Sequence, residues 1–503
     1  MSKTNKFYVT TSIAYVNAGP HVGHAMEFLQ ADILARYHRL EGRDVFFLTG
    51  TDEHGLKIAE AAEKLGVWAQ ELVNENTALF QDLDEKLGLS NDYFVRTTEE
   101  KHITFVLKMW QKLVEAGDIY KADYEGLYCV GCEKFVLEKE LINGNCPIHL
   151  KPPVKVKEEN YFFRLSKYAE KIKAKISADE VRILPESKKN EILNFLAEGL
   201  NDVSFSRPKE VVKWGIPVPG DDSQLMYVWC DALTNYLSVI DREKYWPADV
   251  QVIGKDILRF HAVYWLGMLL SAGFELPKVI MVHGHILSEG TKMSKSLGNV
   301  KDPFEYLHQY GRDALRYFLL REIPTLDDGD FSQNRFEIVY NDDLANTYGN
   351  LVSRVLAMNK KYFAGIVPER GEDDGFEVKV GQTWVNLEKH LSEYDLKKAL
   401  EVVLELGFAA NKYVEDSKPW ALAKEGSPRL PGVLYNLLEV IRHLGLMLLP
   451  FIPGSAEKIL QLFEPEFKLA GFSCVGQKDF GMLESGRKLG EAGMLFPKLE
   501  VQK

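Results

Sequence analysis

Apolar and polar positions change rhythm along this chain near residues 115, 219 and 330. Up to 115, β-prone or continuously apolar runs alternate with stretches whose apolar residues recur every three or four positions. Phe7 to Ser12 reads as a strand. Val22, Met26, Leu29, Ile33, Tyr37 and Leu40 mark a helix that Gly42 stops. Val45 to Leu48 is apolar throughout, as in a strand covered on both faces, and helical patterns follow over 56–66 and 67–88. Alternating strands and helices predict a parallel, doubly wound α/β sheet. From 116 to 219 the texture is β-prone and rich in turns, with helical segments behind. The α/β rhythm returns over 220–330. There a strand-like YVW at 227–229 runs into an aromatic helix, and a strand ends at Gly254-Lys255-Asp256. A helix then carries Ile257, His261 and Trp265 on one face, and Val279 to His283 forms another strand. From 331 to 503 the pattern is helical nearly to the end, and short connections predict a bundle.

At 503 residues the chain is too long for one ordinary core. Its net charge of −12 excludes a generally basic nucleic-acid binder. Local patches such as 167-KYAEKIKAK-175 and Lys397-Lys398 are solvated helix faces or RNA contacts. No signal segment opens the chain. Its most apolar stretch, 444–453, is too short to span a bilayer, so a cytoplasmic protein with no membrane partner is expected. Five cysteines make no disulfide framework.

Candidate chemistry sits at the turns. The first strand passes through Asn17, Gly19 and Pro20 into the helix that begins near His21, Gly23 and His24. A helix start offers unpaired N–H groups and a positive dipole end to a phosphate, and two imidazoles there are further donors. Alternatively one histidine caps the helix and the other is solvated. The turns at 17–24 and 49–54 are both C-terminal strand ends, where such sheets bind ligands, and are expected to face one crevice. Asp52 there binds an ammonium group or caps a helix. Trp229, Tyr236 and Trp265 line an apolar pocket or are plain core. In 284-GHILSEGTKMSKSLGN-299, Gly290, Ser294, Ser296 and Gly298 make a flexible loop holding Lys292 and Lys295, suited to gripping and releasing a triphosphate. Cys129-x2-Cys132 followed by Cys146-x2-His149 has the spacing of a closed tetrahedral zinc site, which clamps a small insert and leaves no place for substrate.

His21-Val22-Gly23-His24 and 292-KMSKS-296 resemble the paired motifs of class I aminoacyl-tRNA synthetases. Within that class the chain resembles methionyl-tRNA synthetases of bacterial type over nearly its whole length. The supporting strings are 47-FLTGTDEHG-55, 227-YVWCDAL-233, 254-GKDI-257, the zinc knuckle, 349-GNLVSR-354 and 418-KPW-420. The resemblance implies a Rossmann-type catalytic domain over 1–115 and 220–330. It is interrupted by a zinc-binding insert over 116–219 and followed by an all-α anticodon-binding domain over 331–503. It implies ATP-dependent ligation of L-methionine to tRNA(Met) through methionyl-adenylate, with magnesium accompanying ATP and one structural zinc per chain. Catalysis would fall to His21, His24, Lys292 and Lys295. ATP would be held by Gly23, Glu27, Asp256, Gly284, Ile286 and Lys295. Methionine would sit among Ile13, Tyr15, Asp52, Trp229, Ala232, Tyr236, Ile257 and His261, with Asp52 on the amino group. A thioether wants aromatic contact and one weak donor, from Tyr15 or His261. Asn350, Arg354 and Trp420 would read the anticodon, and Cys129, Cys132, Cys146 and His149 would bind zinc.

The chain also departs from the family. Leu233 stands where many relatives carry proline, which bears on fine pocket shape. The chain ends at Lys503, where bacterial relatives often add an OB-like domain, so a monomer is expected. Two rival readings are another class I synthetase and a non-catalytic tRNA-binding paralogue. The short insert argues against the editing enzymes for leucine and valine, and the two intact motifs argue against the paralogue.

Overall fold

The strand Lys6–Thr11 runs parallel to Val250–Gly254, with Val9 beside Val250. The two α/β stretches therefore share one sheet, across a long insertion. The computed structural model describes residues 5–130, 134–136, 138, 141–147, 150–293, 299–491 and 493–500. The chain divides into two units. Met1–Pro20, Phe46–Asp84 and Asn91–Val282 make the first; His21–Val45, Glu85–Ser90 and His283–Lys503 make the second.

In the first unit the sheet runs in the order Ala14–Tyr15, Asp44–Asp52, Lys6–Thr11, Val250–Gly254, Val279–His283, Arg182–Leu184, and Tyr93–Arg96 also pairs with Asp44–Asp52. Its registered pairs are parallel. Tyr8, Val106, Phe163, Ile183, Trp265 and Ile280 belong to one buried core around it, each such side chain contributing roughly 1.5–3 kcal/mol. Arg182–Leu184 lies within 116–219, so part of that stretch builds the main sheet. A separate antiparallel sheet of Lys134–Val136, Ile119–Cys129, Val154–Phe163 and Val203–Ser204 forms the β-rich insert.

Two local expectations are corrected. The strand expected at 227–229 ends earlier, at Met226. Tyr227 is an N-cap, and Val228 and Trp229 open the helix Val228–Ala232. β-propensity yields to tertiary context, and here the helix aims Asp231 into the interior. The segment carrying Ile257, His261 and Trp265 is also not a plain α-helix. It starts as a 3-10 turn, Lys255–Ile257, and widens into π-helix over Phe260–Trp265.

The second unit holds helix Val22–Leu40, a small sheet of Ile286–Ser288, Thr291–Lys292 and Gly329–Phe331, and the helices from Pro303–Tyr310 to Pro453–Gln461. Phe376–Ser392, Leu396–Ser417 and Leu430–Leu448 pack on one another as the expected bundle. Past Gln461 no described segment is helical. The tail instead ties down the end of helix Val22–Leu40. The Cys474 N–H and the Ser473 hydroxyl both donate to the Leu40 carbonyl, at 2.8 and 2.9 Å. Among the described residues no helix is long and apolar enough to cross a membrane.

The middle of that helix is fixed by a buried ion pair. Arg316 and Asp32 are both fully buried, with Arg316 Nη2 2.7 Å from Asp32 Oδ2. Arg316 also donates to the carbonyls of Leu87, Pro450 and Phe451. Asp32 accepts from Arg36 Nε and from the Ser90 N–H and hydroxyl. Burial alone would raise the Asp32 carboxyl, but Arg36 and Arg316 outweigh it and hold it at about 2. Arg316→Met leaves a buried carboxylate short of a partner and strands several carbonyls. The expected loss is about 3–5 kcal/mol, read as a lower urea midpoint by circular dichroism, with much of it recovered in the Asp32→Leu/Arg316→Met double variant. A change below about 1 kcal/mol would contradict this account of the pair.

Candidate active site

His21 is the N-cap of helix Val22–Leu40. Its Nδ1 accepts from the Gly23 N–H at 3.1 Å, and His24 Nδ1 accepts from the His21 N–H at 3.2 Å. Two imidazoles thus fill the places that a serine and a glutamate take in the usual capping box. Their rings stack at 3.9 Å, 20° apart. Gly23 is what permits the fold-back, since a Cβ there would lie 2.8 Å from His21 Cε1. The Val22 N–H donates to the Lys301 carbonyl at 3.1 Å, which joins the helix start to the segment following 292–296. The His24 and Ala25 N–H groups donate to the His21 carbonyl at 3.0 and 3.3 Å.

The expectation of open N–H groups cradling a phosphate is therefore corrected. Those donors are spent inside the fold, as buried backbone donors generally are. The positive end of the helix dipole still favours an anion at this end. An imidazole whose Nδ1 accepts carries its proton on Nε2. The alternative of one capping and one solvated histidine is thereby corrected, because both rings cap the helix start.

The other residues of this unit expected to meet the nucleotide are placed as follows. Glu27 is buried, and His283 Nε2 lies 2.9 Å from Glu27 Oε2. His283 Nδ1–H donates to the Gly284 carbonyl at 2.7 Å, so the contact with Glu27 needs a second proton and is an ionic or proton-sharing pair. Gly284 passes the 327–328 backbone so closely that a Cβ would lie 2.2 Å from the Asp327 carbonyl carbon. Ile286 is buried in the strand Ile286–Ser288. Glu289 and Gly290, both at positive φ, form a tight hairpin turn. That turn makes the Lys292 backbone part of the strand Thr291–Lys292 instead of the expected loop. Lys295 lies outside the described residues.

The residues expected to surround the amino acid belong to the first unit. Tyr15 pairs with Asp52 across parallel strands. Gly55, not Asp52, is the N-cap of the next helix. Trp229 stacks on Phe260 with centroids 3.8 Å apart and planes 5° apart, and meets His261 edge-on at 6.2 Å. His261 Nδ1–H donates to the Ile257 carbonyl at 3.0 Å, and the Tyr236 hydroxyl donates to His261 Nε2 at 2.7 Å. Both ring nitrogens are spent, so His261 has no donor for a thioether, and Tyr15 is the other candidate. Ala232 is buried at the end of the Trp229 helix, while Ile13 is half-buried against the core. Trp265 is fully buried and is core. Asp256 is exposed in its 3-10 turn.

Sequence reasoning missed Phe260 and a buried cluster beside Asp52. His54 Nδ1 and His102 Nε2 each lie 2.7 Å from a different oxygen of Asp231. Burial alone would raise the Asp231 carboxyl, but the two histidines hold it down to about 2. The adjacency of His54 to Asp52 and of Asp231 to Trp229 was a signal; His102 carried none.

Of the zinc residues, Cys129 and Cys146 are buried together with Val136 in a small cluster backed by Leu127 and Leu141. Cys132 and His149 lie outside the described residues, and no group of three or more metal-ligating side chains occurs among the described ones. Two buried thiols in so small a core fit a metal-clamped knuckle. In the second unit Asn350 and Arg354 share one face of the helix Asn350–Phe363, and Arg354 bonds Glu415 at 2.7 Å. Lys418 adopts a left-handed backbone, Pro419 starts the next helix, and Trp420 is left 43% exposed.

The family model for class I tRNA synthetases (M) matches residues 7–152 and 136–356, and the model for the anticodon binding domain of methionyl tRNA ligase matches 368–503. The methionine–tRNA ligase of Caldanaerobacter subterraneus subsp. tengcongensis is 42% identical over 517 residues, covering 100% of this chain and 80% of that protein. That of Brucella suis is 44% identical, covering 91% of each. A structure of Mycobacterium tuberculosis methionyl-tRNA synthetase in complex with methionyl-adenylate superposes with a TM-score of 0.92 at 41% identity, covering 98% of this chain and 100% of that one.

Burial pushes the His261 imidazole down to about 4, against a weaker raising effect of the Ile257 carbonyl. An unfolded histidine titrates near 6.5. Below that pH the unfolded chain takes up a proton that the native ring refuses. The contribution to stability is therefore complete above about 6.5 and is lost as pH falls toward about 4. In an NMR titration the His261 ring signal should keep its neutral position through about pH 5, and a midpoint near 6.5 would contradict the buried neutral ring.

Proposed function

The chain belongs to the methionyl-tRNA synthetases, and from that premise we propose how its side chains divide the reaction. The enzyme ligates L-methionine to tRNA. The methionine carboxylate attacks the α-phosphorus of MgATP, the bond to pyrophosphate breaks, and methionyl-adenylate forms. A hydroxyl of the tRNA 3′-terminal adenosine then attacks the activated carbonyl, and AMP leaves. No side-chain nucleophile is required, so positioning and charge stabilisation carry the rate.

The observation that carries the proposal is the interlocked cap of His21 and His24. It fixes both rings in the tautomer with the proton on Nε2 and holds them parallel. Two neutral donors of set direction serve the phosphate oxygens as charge develops. Lys292 and Lys295 serve the pyrophosphate. Gly23, Glu27, Gly284 and Ile286 shape the nucleotide site, with Glu27 oriented by His283, and Asp256 meets the ribose. Asp52 takes the methionine ammonium. Ile13, Tyr15, Trp229, Ala232, Tyr236, Ile257 and His261 surround the side chain. The chemistry belongs to 1–115 and 220–330, and the helices of 331–503 select the tRNA. There Asn350 and Arg354 offer hydrogen bonds and Trp420 a stacking face to unpaired anticodon bases of tRNA(Met). Cys129, Cys132, Cys146 and His149 hold a structural zinc in the insert within 116–219; when bound, it closes a knuckle whose apolar core is too small to stand alone.

His21→Asn separates capping from chemistry, because asparagine is among the best N-caps but lacks the ring donor. Melting should change little, while ATP–pyrophosphate exchange with methionine falls by about 10²–10³. Lys295→Ala should likewise cripple exchange and leave methionine affinity near normal. Wild-type exchange in both variants would refute the assignment. Elemental analysis of purified protein should find about one zinc per chain, and Cys146→Ser should lower both zinc content and melting temperature.

A further inference from the structure

Asp231 is one of the most deeply buried carboxylates in the first unit, 1% exposed, and the reaction as described does not use it. Burying a carboxylate is costly, and a well-packed apolar replacement is often as stable or more so. Its arrangement therefore asks for an explanation other than stability.

The carboxylate stands at a junction of three segments. One oxygen meets His54, two residues beyond Asp52 at the end of the strand Asp44–Asp52. The other meets His102 in the helix Glu100–Glu115. His102 Nδ1 in turn lies 3.0 Å from the Ser238 hydroxyl, in the short helix Asn235–Ser238 that carries Tyr236. Asp231 itself sits between Trp229 and Ala232. The 53–55 backbone is braced as well: Trp214 Nε1 donates to the Glu53 carbonyl at 2.6 Å, and the Gly55 N–H donates to the Trp214 carbonyl at 3.1 Å. The His54 backbone is thus held from one side, and its ring is held by Asp231 and lies against Trp214 at 5.5 Å.

Recognition of an α-amino acid needs an anion for the ammonium and a wall for the side chain at one fixed separation. Asp52 and the Trp229–Tyr236 segment come from distant parts of the chain, and the His54–Asp231 bond ties them side chain to side chain. We propose that Asp231 is a positioning residue for methionine, which, through His54 and His102, sets the distance between the ammonium site at Asp52 and the apolar wall at Trp229, Ala232 and Tyr236. The inference rests on the methionine pocket proposed above.

Two substitutions of His54 test it without removing polarity. In His54→Asn the amide nitrogen occupies nearly the place of Nδ1 and still donates to Asp231. In His54→Gln the donor is displaced by a methylene, and a misplacement of about 1 Å can cost up to about 100-fold. The measurement is ATP–pyrophosphate exchange with methionine and ATP varied separately. The expected result is a methionine KM raised about tenfold or more in His54→Gln, within about threefold of wild type in His54→Asn, and an ATP KM nearly unchanged in both. Asp231→Ala, which removes both bonds, should behave as His54→Gln does. A wild-type methionine KM in His54→Gln, equal losses in the Asn and Gln variants, or methionine and ATP KM rising together would each overturn the inference. Trp229→Ala is the control for the pocket. An unchanged methionine KM there would overturn the pocket reading itself. An impaired Trp229→Ala beside a normal His54→Gln would keep the pocket and remove the clamp.

Discussion

The guanidinium of Arg316 has no water to turn to, so the chain must bring its partners to it. A buried guanidinium is tolerated only where its fixed fork of donors is matched. Here the match is the Asp32 carboxylate together with carbonyls from 87, 450 and 451. That requirement makes helix Val22–Leu40, the 85–90 link, helix Arg312–Glu322 and the 450–451 turn converge on one point. The same helix is held at its start by the Lys301 carbonyl and at its end by residues 473–474. The helix is thus tied at its start, middle and end. Its first turn, which carries His21 and His24, is therefore presented in one orientation. Donors aimed in advance at developing charge need no reorganisation during a reaction, and in the role proposed for His21 and His24 that would depend on the scaffold as much as on the rings.

The first unit uses the same device twice. Glu53 is fully buried and accepts from Thr51, Thr77, Thr98 and the Nε and Nη2 of Arg96. Asp231 is held by two histidines. The string 51-TDEH-54 thus divides its work residue by residue. Thr51 and Glu53 face a buried network, Asp52 stands beside Tyr15, and His54 reaches to Asp231. Alternation along a strand end sends neighbouring residues to opposite faces, which is why one short string can serve both the scaffold and the site.

Much of this was legible in the residues because it is local or periodic. The apolar run 45–48 became the strand Asp44–Asp52, and the spacing from Val22 to Leu40 became one helix of those bounds. His21, Gly23 and His24 were recognisable because their spacing is itself the geometry of a capped turn. The failures have a common cause in long-range contact. Strand propensity at 227–229 lost to a helix that buries Asp231. The open N–H groups expected at the helix start were taken by His21 and His24 themselves and by a carbonyl at 301. Partners far apart in the chain, such as His102 and Asp231 or Glu27 and His283, leave no periodic trace. The π-helical turns at Phe260–Trp265 and Tyr340–Gly349 cannot be told from α-helix by a spacing of three to four.

The committed nitrogens of His261 bear on how a thioether would be told from other side chains. A pocket that recognises a hydroxyl or amide rejects analogues lacking it strongly, because its own polar groups are left unpaired. On the His261 side, the wall proposed here has no imidazole nitrogen to offer. His261 satisfies itself with Tyr236 and Ile257, and the Trp229–Phe260 stack is apolar on both faces. Discrimination then rests on shape and on the polarisability of sulfur, a matter of about 1–3 kcal/mol per methylene and about 0.3–1.5 kcal/mol for sulfur on an aromatic ring. Such small terms count only if the wall does not yield. A half-buried Trp229 stacked on Phe260 and an imidazole held neutral by burial make that side of the wall uncharged, so in the proposed pocket steric fit carries more of the choice than hydrogen bonding, with Tyr15 the one candidate donor named above.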